Sequence, residues 1–391
     1  MPGKHLLLRV LAFALLFLVA CAPAAPAPAK TEPAKVQPTK AAPAKAESAK
    51  PEPTKAVPPK AEVAKSVATP TKAPPAPAVK VRVGAVGSLS DAGVYVALEK
   101  AYFKEQGIDF EMVSFDSASQ MIAPMSSSQL EVGGGAFSTG LFNAILRNIP
   151  MKAVADKGTN SAGHGFAALV VRKDLYDSGQ VRGYKDLKGR KLAVSNLGGG
   201  SEIQMEKALG KGGLKVSDVD LIALSHPAQL AAYGNKALEA SILLEPLVTE
   251  GVEKGLVVKI AGADEFDPSV GASILYAPHF MDKMSDAANR WMVAYLKGVR
   301  DYNDAFGPKK KDRAAIITLL TKQTSVKDAA LYEKMVMPGL DSNGEIKLSD
   351  LESQLKWYRG RDLLKEDLDP KRVLDAQYAD NAVKQLGKYV P

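Results

Sequence analysis

Apolar positions over residues 80–391 switch repeatedly between two periods. Val81-Arg82-Val83-Gly84-Ala85-Val86 alternates as a strand. After a polar stretch from Ser88 to Asp91, residues Val94, Ala97, Leu98, Ala101 and Tyr102 recur at helical spacing. The same unit is expected with strands over 108–115, 131–136, 191–195, 218–224 and 239–244. Each strand runs into a polar junction: Asp116-Ser117, Ser138, a glycine loop, His226-Pro227 and Glu245-Pro246. Ser117 with Gln120 and Ser201 with Gln204 have capping-box spacing, and Pro227 and Pro246 suit a first helical turn. Beyond about residue 283 the pattern is mainly helical, over 286–305, 311–322, 328–335, 349–363 and 371–387, with a third capping box at Ser349 and Glu352. Strands alternating with helices predict an α/β fold with mostly parallel sheets covered on both faces. In such sheets ligands sit at the carboxyl ends of the strands, where helix N-termini offer unpaired N–H groups. Every polar junction named above falls at such an end.

The first 79 residues follow neither period. Lys4, His5 and Arg9 precede an unbroken apolar run from Val10 to Val19, too short to span ~30 Å of hydrocarbon but suited to a secretory leader. The run ends in Leu18-Val19-Ala20-Cys21, which resembles the lipobox of bacterial lipoproteins and holds the chain's only cysteine. The expectation is a leader over 1–20 and an acyl-anchored Cys21. Residues 22–79 contain 18 Ala, 14 Pro and 9 Lys, with Lys every fifth residue from Lys30 to Lys65. A segment so poor in large apolar side chains is expected to be a disordered spacer. The alternative is weak, salt-sensitive binding of this comb of lysines to anionic polymer or headgroups.

Charge changes the picture once it is divided along the chain. The chain carries 51 Lys and Arg against 43 Asp and Glu, a formal +8. Residues 1–79 hold eleven basic and four acidic residues, which leaves the body at +1. The basic footprint of a nucleic-acid-binding domain is therefore missing from the body, and no nucleic acid is expected as a partner. One cysteine and four scattered histidines exclude a disulfide framework and a zinc cage, and no metal or cofactor is expected.

Among the junctions, Leu197-Gly198-Gly199-Gly200-Ser201 is the best candidate for receiving an anion, although it lacks the lysine of a nucleotide P-loop. Gly133-Gly134-Gly135 reads as a close approach of neighbouring segments. His226 and Glu245 are candidates for cleft donors or acceptors, with a solvated position as the alternative for each. Trp291 and Trp357, with apolar neighbours at helical spacing, read as core. Asp341-Ser342-Asn343-Gly344-Glu345 reads as a turn rather than half a calcium loop, and Lys309-Lys310-Lys311 as a solvated loop. No Gly-x-Ser-x-Gly elbow or His-Glu-x-x-His helix is present.

The segments from Gly93 to Lys100 and from Tyr102 to Ile108, then Leu130 to Gly135, Asp186 to Val194, Leu243-Leu244-Glu245-Pro246 and Ala382 to Gly387 occur in this order over nearly all of 80–391. Together they resemble the nitrate/sulfonate/taurine and thiamine-pyrimidine-precursor family of ABC-transporter solute-binding proteins. The resemblance implies a type II periplasmic-binding-protein fold, two α/β lobes closing on one ligand, with a C-terminal helical extension. Lobe one would comprise 80–172 and 264–391, lobe two 173–263, with Phe166–Arg172 and Ser269–Ala277 as hinge crossovers. It further implies a ligand site of Ser88, Leu89, Tyr95, Ser117, Phe137, Ser138 and Thr139 from lobe one and Asn196, Gly198, Gly199, Ser201, His226 and Glu245 from lobe two. No aromatic residue occupies the first loop, Gly87-Ser88-Leu89-Ser90, where pyrimidine binders place one. The expected role is capture of a small, anionic or heteroaromatic molecule by a monomer outside the cytoplasm. The protein would be held at the bacterial cell membrane by lipid on Cys21, and its partners would be an ABC permease and its ATPase. Two other readings stay open: a biosynthetic enzyme of the same fold, from a pyrimidine or quinone pathway, and a ligand sensor without transport.

Overall fold

The computed structural model describes residues 78–390. The expected leader, Cys21 and the Ala/Pro/Lys-rich segment as far as residue 77 lie outside the described residues. Two five-stranded sheets organise the body. The first takes β1 (Val79–Ala85), β2 (Ile108–Ser114), β3 (Val132–Gly135), β4 (Lys152–Thr159) and, far along the chain, β10 (Val270–Tyr276), in the order β2-β1-β3-β10-β4. The second takes β5 (Ala167–Arg172), β6 (Lys191–Val194), β7 (Asp220–Ala223), β8 (Ala240–Leu244) and β9 (Val257–Gly262), in the order β7-β6-β8-β5-β9. This is the expected two-lobe α/β architecture. Each sheet contains one strand antiparallel to both its neighbours, β10 between β3 and β4 and β5 between β8 and β9.

Those two strands are the segments expected as hinge crossovers. Ala167 to Val171 is wholly buried and bonded on both sides, which makes β5 an interior strand of the second sheet. The links between the sheets are instead the short stretches at 160–166 and 267–269, since the helix Ala263–Phe266 packs in the core of the second sheet, and that sheet takes in residues from 167, about six earlier than the resemblance implied.

The long helix Ser285–Phe306 buries Ala288, Trp291, Met292, Tyr295, Val299 and Tyr302 against the first sheet, at the three- and four-residue spacing its sequence predicts. The other face of that sheet is covered by a second core that includes Phe137, Phe142 and Tyr358, the last from the Leu348–Gly360 helix. The second sheet has a core on each face. Trp291 is therefore core, as expected. Trp357 is only half-buried, and its indole N–H donates to Glu206 of the second lobe at 2.8 Å.

Local expectations differ at several helix starts. Ser117 makes no capping bond, while Gln120 accepts from the Asp116 amide. The helix after β6 runs Gly200–Lys211 with Gly199 ahead of it, which places Ser201 inside the first turn. The Leu348–Gly360 helix begins one residue before Ser349. The helix expected over 371–387 breaks into Pro370–Val373 and Gln377–Leu386, because the chain leaves it to lay Leu374 beside Ala153 of β4. Residues 329–333 form a 3-10 turn rather than an α-helix.

Candidate functional site

The carboxyl ends of both sheets face one cavity of about 80 Å³. From the first lobe its wall takes Ser88 and Ser90 after β1, Ser117 and Ser119 after β2, and Phe137 and Ser138 after β3. From the second lobe it takes Ser195, Asn196 and Ser201 after β6, and His226 at the start of the His226–Gly234 helix. Three helices, Thr139–Leu146, Gly200–Lys211 and His226–Gly234, begin at or beside this wall. Each presents its positive dipole end to whatever occupies the space. Among the described residues no Lys or Arg lines it, and the carboxylates that do are Asp116 and Asp267. Asp267 is held by Lys207 at 2.5 Å and by the Ser269 hydroxyl at 2.7 Å, whereas Asp116 is exposed.

Hydrogen bonds behind the wall fix its polarity. The Lys157 ammonium lies 2.7 Å from Asp91, both side chains being 1 % exposed, and donates to the Ser90 hydroxyl at 3.0 Å. Ser90 is in turn 2.6 Å from the Ser88 hydroxyl. In the second lobe the Ser195 amide donates to the Ser201 hydroxyl at 3.1 Å, and the Gly198 amide donates to the Glu202 carboxylate at 2.7 Å. His226 has its Nδ1 buried with no hydrogen-bond partner, and burial pushes the imidazole down to about 4, so it is neutral at pH 7. Asn160, whose side-chain nitrogen is likewise buried without a partner, lies beside Gly271 of the cavity lining.

The two lobes touch across this space. The amide and hydroxyl of Thr139 both donate to the Gly198 carbonyl, at 3.0 and 2.9 Å, and Ser138 pairs with Gly199 in a single antiparallel bridge. On the same side Arg361, just past the Leu348–Gly360 helix, bridges Glu202 at 2.7 Å and Glu206 at 3.0 Å.

A family model described as "NMT1/THI5 like" matches residues 89–304, more than half of the chain. The chain belongs to the NMT1/THI5-like family. A protein of Brucella abortus (strain 2308) named only as a binding protein is 24% identical over 314 residues, 78% of this chain and 92% of that one. The taurine-binding periplasmic protein of Escherichia coli (strain K12) is 26% identical over 185 residues, 47% of this chain and 53% of that protein. Among solved structures, the alkanesulfonate-binding protein SsuA of Xanthomonas axonopodis pv. citri, bound to MOPS, shares the fold with a TM-score of 0.61. It is 16% identical and covers 78% of this chain and 99% of its own.

In this NMT1/THI5-like chain the expected site residues fall into three groups. Ser88, Ser117, Phe137, Ser138, Asn196, Ser201 and His226 line the cavity. Thr139, Gly198 and Gly199 make the contact between lobes instead. Leu89, Tyr95 and Glu245 point elsewhere: Leu89 and Tyr95 are core, with the Tyr95 hydroxyl toward Asp91. Glu245, expected as a cleft carboxylate, accepts from the Thr249 amide and hydroxyl at 3.0 and 2.9 Å and from the Val336 amide at 3.3 Å. Burial pushes its carboxyl up, against the pull of Thr249's donors. The helix Leu247–Glu253 follows at once, and its unpaired first-turn N–H groups claim that carboxylate. Ser90 and Ser119, not among the expected site residues, bond the hydroxyls of Ser88 and Ser117 two positions before them. Gln204, marked in the sequence only by its capping-box spacing from Ser201, also lines the cavity, as do Phe166, Asp267 and Gln354, which no local pattern marks as site residues.

Proposed function

We propose that this protein is the solute-binding component of an ABC importer and that it captures a small molecule bearing a sulfonate or similar oxyanion group between its two lobes. The observation that carries the reading is the cavity wall itself: serine hydroxyls and helix N-termini, with no cationic side chain among the described residues, from two lobes already in contact. Such a wall stabilises negative charge through many partial donors. The binding-protein relatives support the same reading. Exposed Asp116 offers an amino group a partner at the rim, so an aminoalkanesulfonate would find complementary charge at both ends. Lipid on Cys21 would keep the protein outside the cytoplasm beside its permease and ATPase.

The test is calorimetry with taurine, methanesulfonate and nitrate. At least one should bind one-to-one, and at a hundredfold excess over its dissociation constant it should add about 2.7 kcal/mol of stability. Binding of none of them, or turnover of any, would remove the reading. Taurine should bind more tightly than methanesulfonate, by about three- to tenfold. Asp116→Asn should erase that difference while leaving methanesulfonate unchanged. The anchor has its own test. Cys21→Ser should move the protein from the membrane fraction to the soluble fraction, and an unchanged distribution with the same mature mass would contradict it.

A further inference from the structure

Lys157 and its neighbour Asp156 are the two charged residues at the centre of a strand whose other central positions are small or apolar. Lys157 lies on β4, in the run Ala153-Val154-Ala155-Asp156-Lys157-Gly158, which is buried throughout. The fold makes specific room for its side chain. A Cβ on Gly134 of β3, on the far side of β10, would lie 2.7 Å from Lys157 Cδ and 2.8 Å from Cε. A Cβ on Gly158 would likewise lie 3.1 Å from Ser90 Cβ. The stem passes Gly134 and brings the ammonium between Asp91 and the Ser90 hydroxyl, directly behind the cavity wall.

We propose that Lys157 is a positioning residue that makes the Ser88–Ser90 wall a hydrogen-bond donor, so that this end of the cavity selects a group that only accepts. The inference rests on the oxyanion reading given above and extends it to the residue that sets the selectivity. An ammonium can only donate. Ser90 Oγ therefore accepts from Lys157, and the Ser90 proton is free to point away from it. The two serines hold two hydroxyl protons, and the 2.6 Å contact between them uses one. Whichever serine donates in that contact, the other proton is left for the cavity that both hydroxyls line. Asp91 neutralises Lys157, and itself accepts from the Val86 amide at 3.2 Å. The buried pair thus transmits hydrogen-bond direction more than net charge. A sulfonate oxygen satisfies that outward proton, whereas an N–H group brought to the same place meets a donor.

The experiment compares methanesulfonate with methanesulfonamide, which is similar in size but carries N–H donors. The parent should prefer methanesulfonate, and Ser90→Ala, which cuts the relay and leaves the ion pair intact, should reduce the preference about three- to tenfold. Lys157→Met with Asp91→Asn removes both charges together, so that no buried charge is left unpaired, and should reduce it similarly. In protein labelled with 15N-lysine, a buried ammonium should give a slowly exchanging N–H signal that shifts in Ser90→Ala. Failure of the parent to bind any of taurine, methanesulfonate and nitrate would overturn the oxyanion reading and the relay with it. A parent that binds one of them but does not prefer methanesulfonate to methanesulfonamide would overturn the relay alone. Binding with the same preference in both variants, or a lysine signal unmoved by Ser90→Ala, would overturn the relay alone.

Discussion

Gly198→Val should lower ligand affinity about thirtyfold and lower the melting temperature by a few degrees. Gly198 sits at φ +67°, a left-handed conformation that costs a branched residue about 1–2 kcal/mol. Its missing side chain also matters to the other lobe, since a Cβ there would lie 2.6 Å from Thr139 Oγ1. That hydroxyl and the Thr139 amide are the two donors that reach the Gly198 carbonyl across the cavity mouth. Pushing them apart forfeits two hydrogen bonds at about 1 kcal/mol each. The backbone strain is felt with the lobes open or closed and lowers stability, whereas the two interlobe bonds, about 2 kcal/mol, appear as roughly thirtyfold in affinity. The loss of those bonds falls on the closed arrangement because the packed cores of both lobes lie elsewhere. Calorimetry should show the loss of affinity, and scattering should show that ligand no longer compacts the protein. Equal affinity and compaction in the variant would mean that the lobes do not close through this contact.

The sequence made the architecture legible because each strand of the two sheets that ends at the cavity finishes in a polar junction. Ser88, Ser117, Ser138, Ser201 and His226 stand where alternation stops and helical spacing begins, and all of them line the cavity. The lobe boundary was harder to read. Ala167 to Val171 is apolar at every position, and such a run looks the same whether it links two lobes or sits inside one. Glu245 shows a different limit. Its position at a strand end was right, but a carboxylate just before a helix has backbone donors close at hand, and it turns to Thr249 rather than to the cavity. Lys157 and Gln354 were invisible for a third reason. Each reaches the site from an element distant in sequence, and in one dimension a lysine near Asp156 and Gly158 reads as a turn on the surface.

Arg361→Gln should weaken ligand binding about thirtyfold and remove much of its dependence on salt. Arg361 follows the Leu348–Gly360 helix of the first lobe, yet its guanidinium bonds two carboxylates on the Gly200–Lys211 helix of the second, Glu202 and Glu206. The two bonds differ in worth. Glu206 is 36% exposed, and an ion pair in that setting contributes about 0–1 kcal/mol. Glu202 is 6% exposed and also accepts the Gly198 amide, so it holds the loop that Thr139 contacts. A hydrogen bond to such a buried charge is worth about 1.5–3 kcal/mol. When the lobes part, water can replace Arg361 at Glu202, so the loss is felt in the closed arrangement and appears as affinity rather than as unfolding. About 2 kcal/mol corresponds to roughly thirtyfold. At 1 M salt the Debye length falls to about 3 Å, so the parent should approach the variant there while the variant itself changes little. Trp357→Phe, which removes only the N–H bond to Glu206, should have a much smaller effect. If Arg361→Gln binds as tightly as the parent at low salt, closure is carried by the ligand and the other contacts between lobes, Thr139–Gly198 and those of Leu89 and Val336 with Glu245, without help from Arg361.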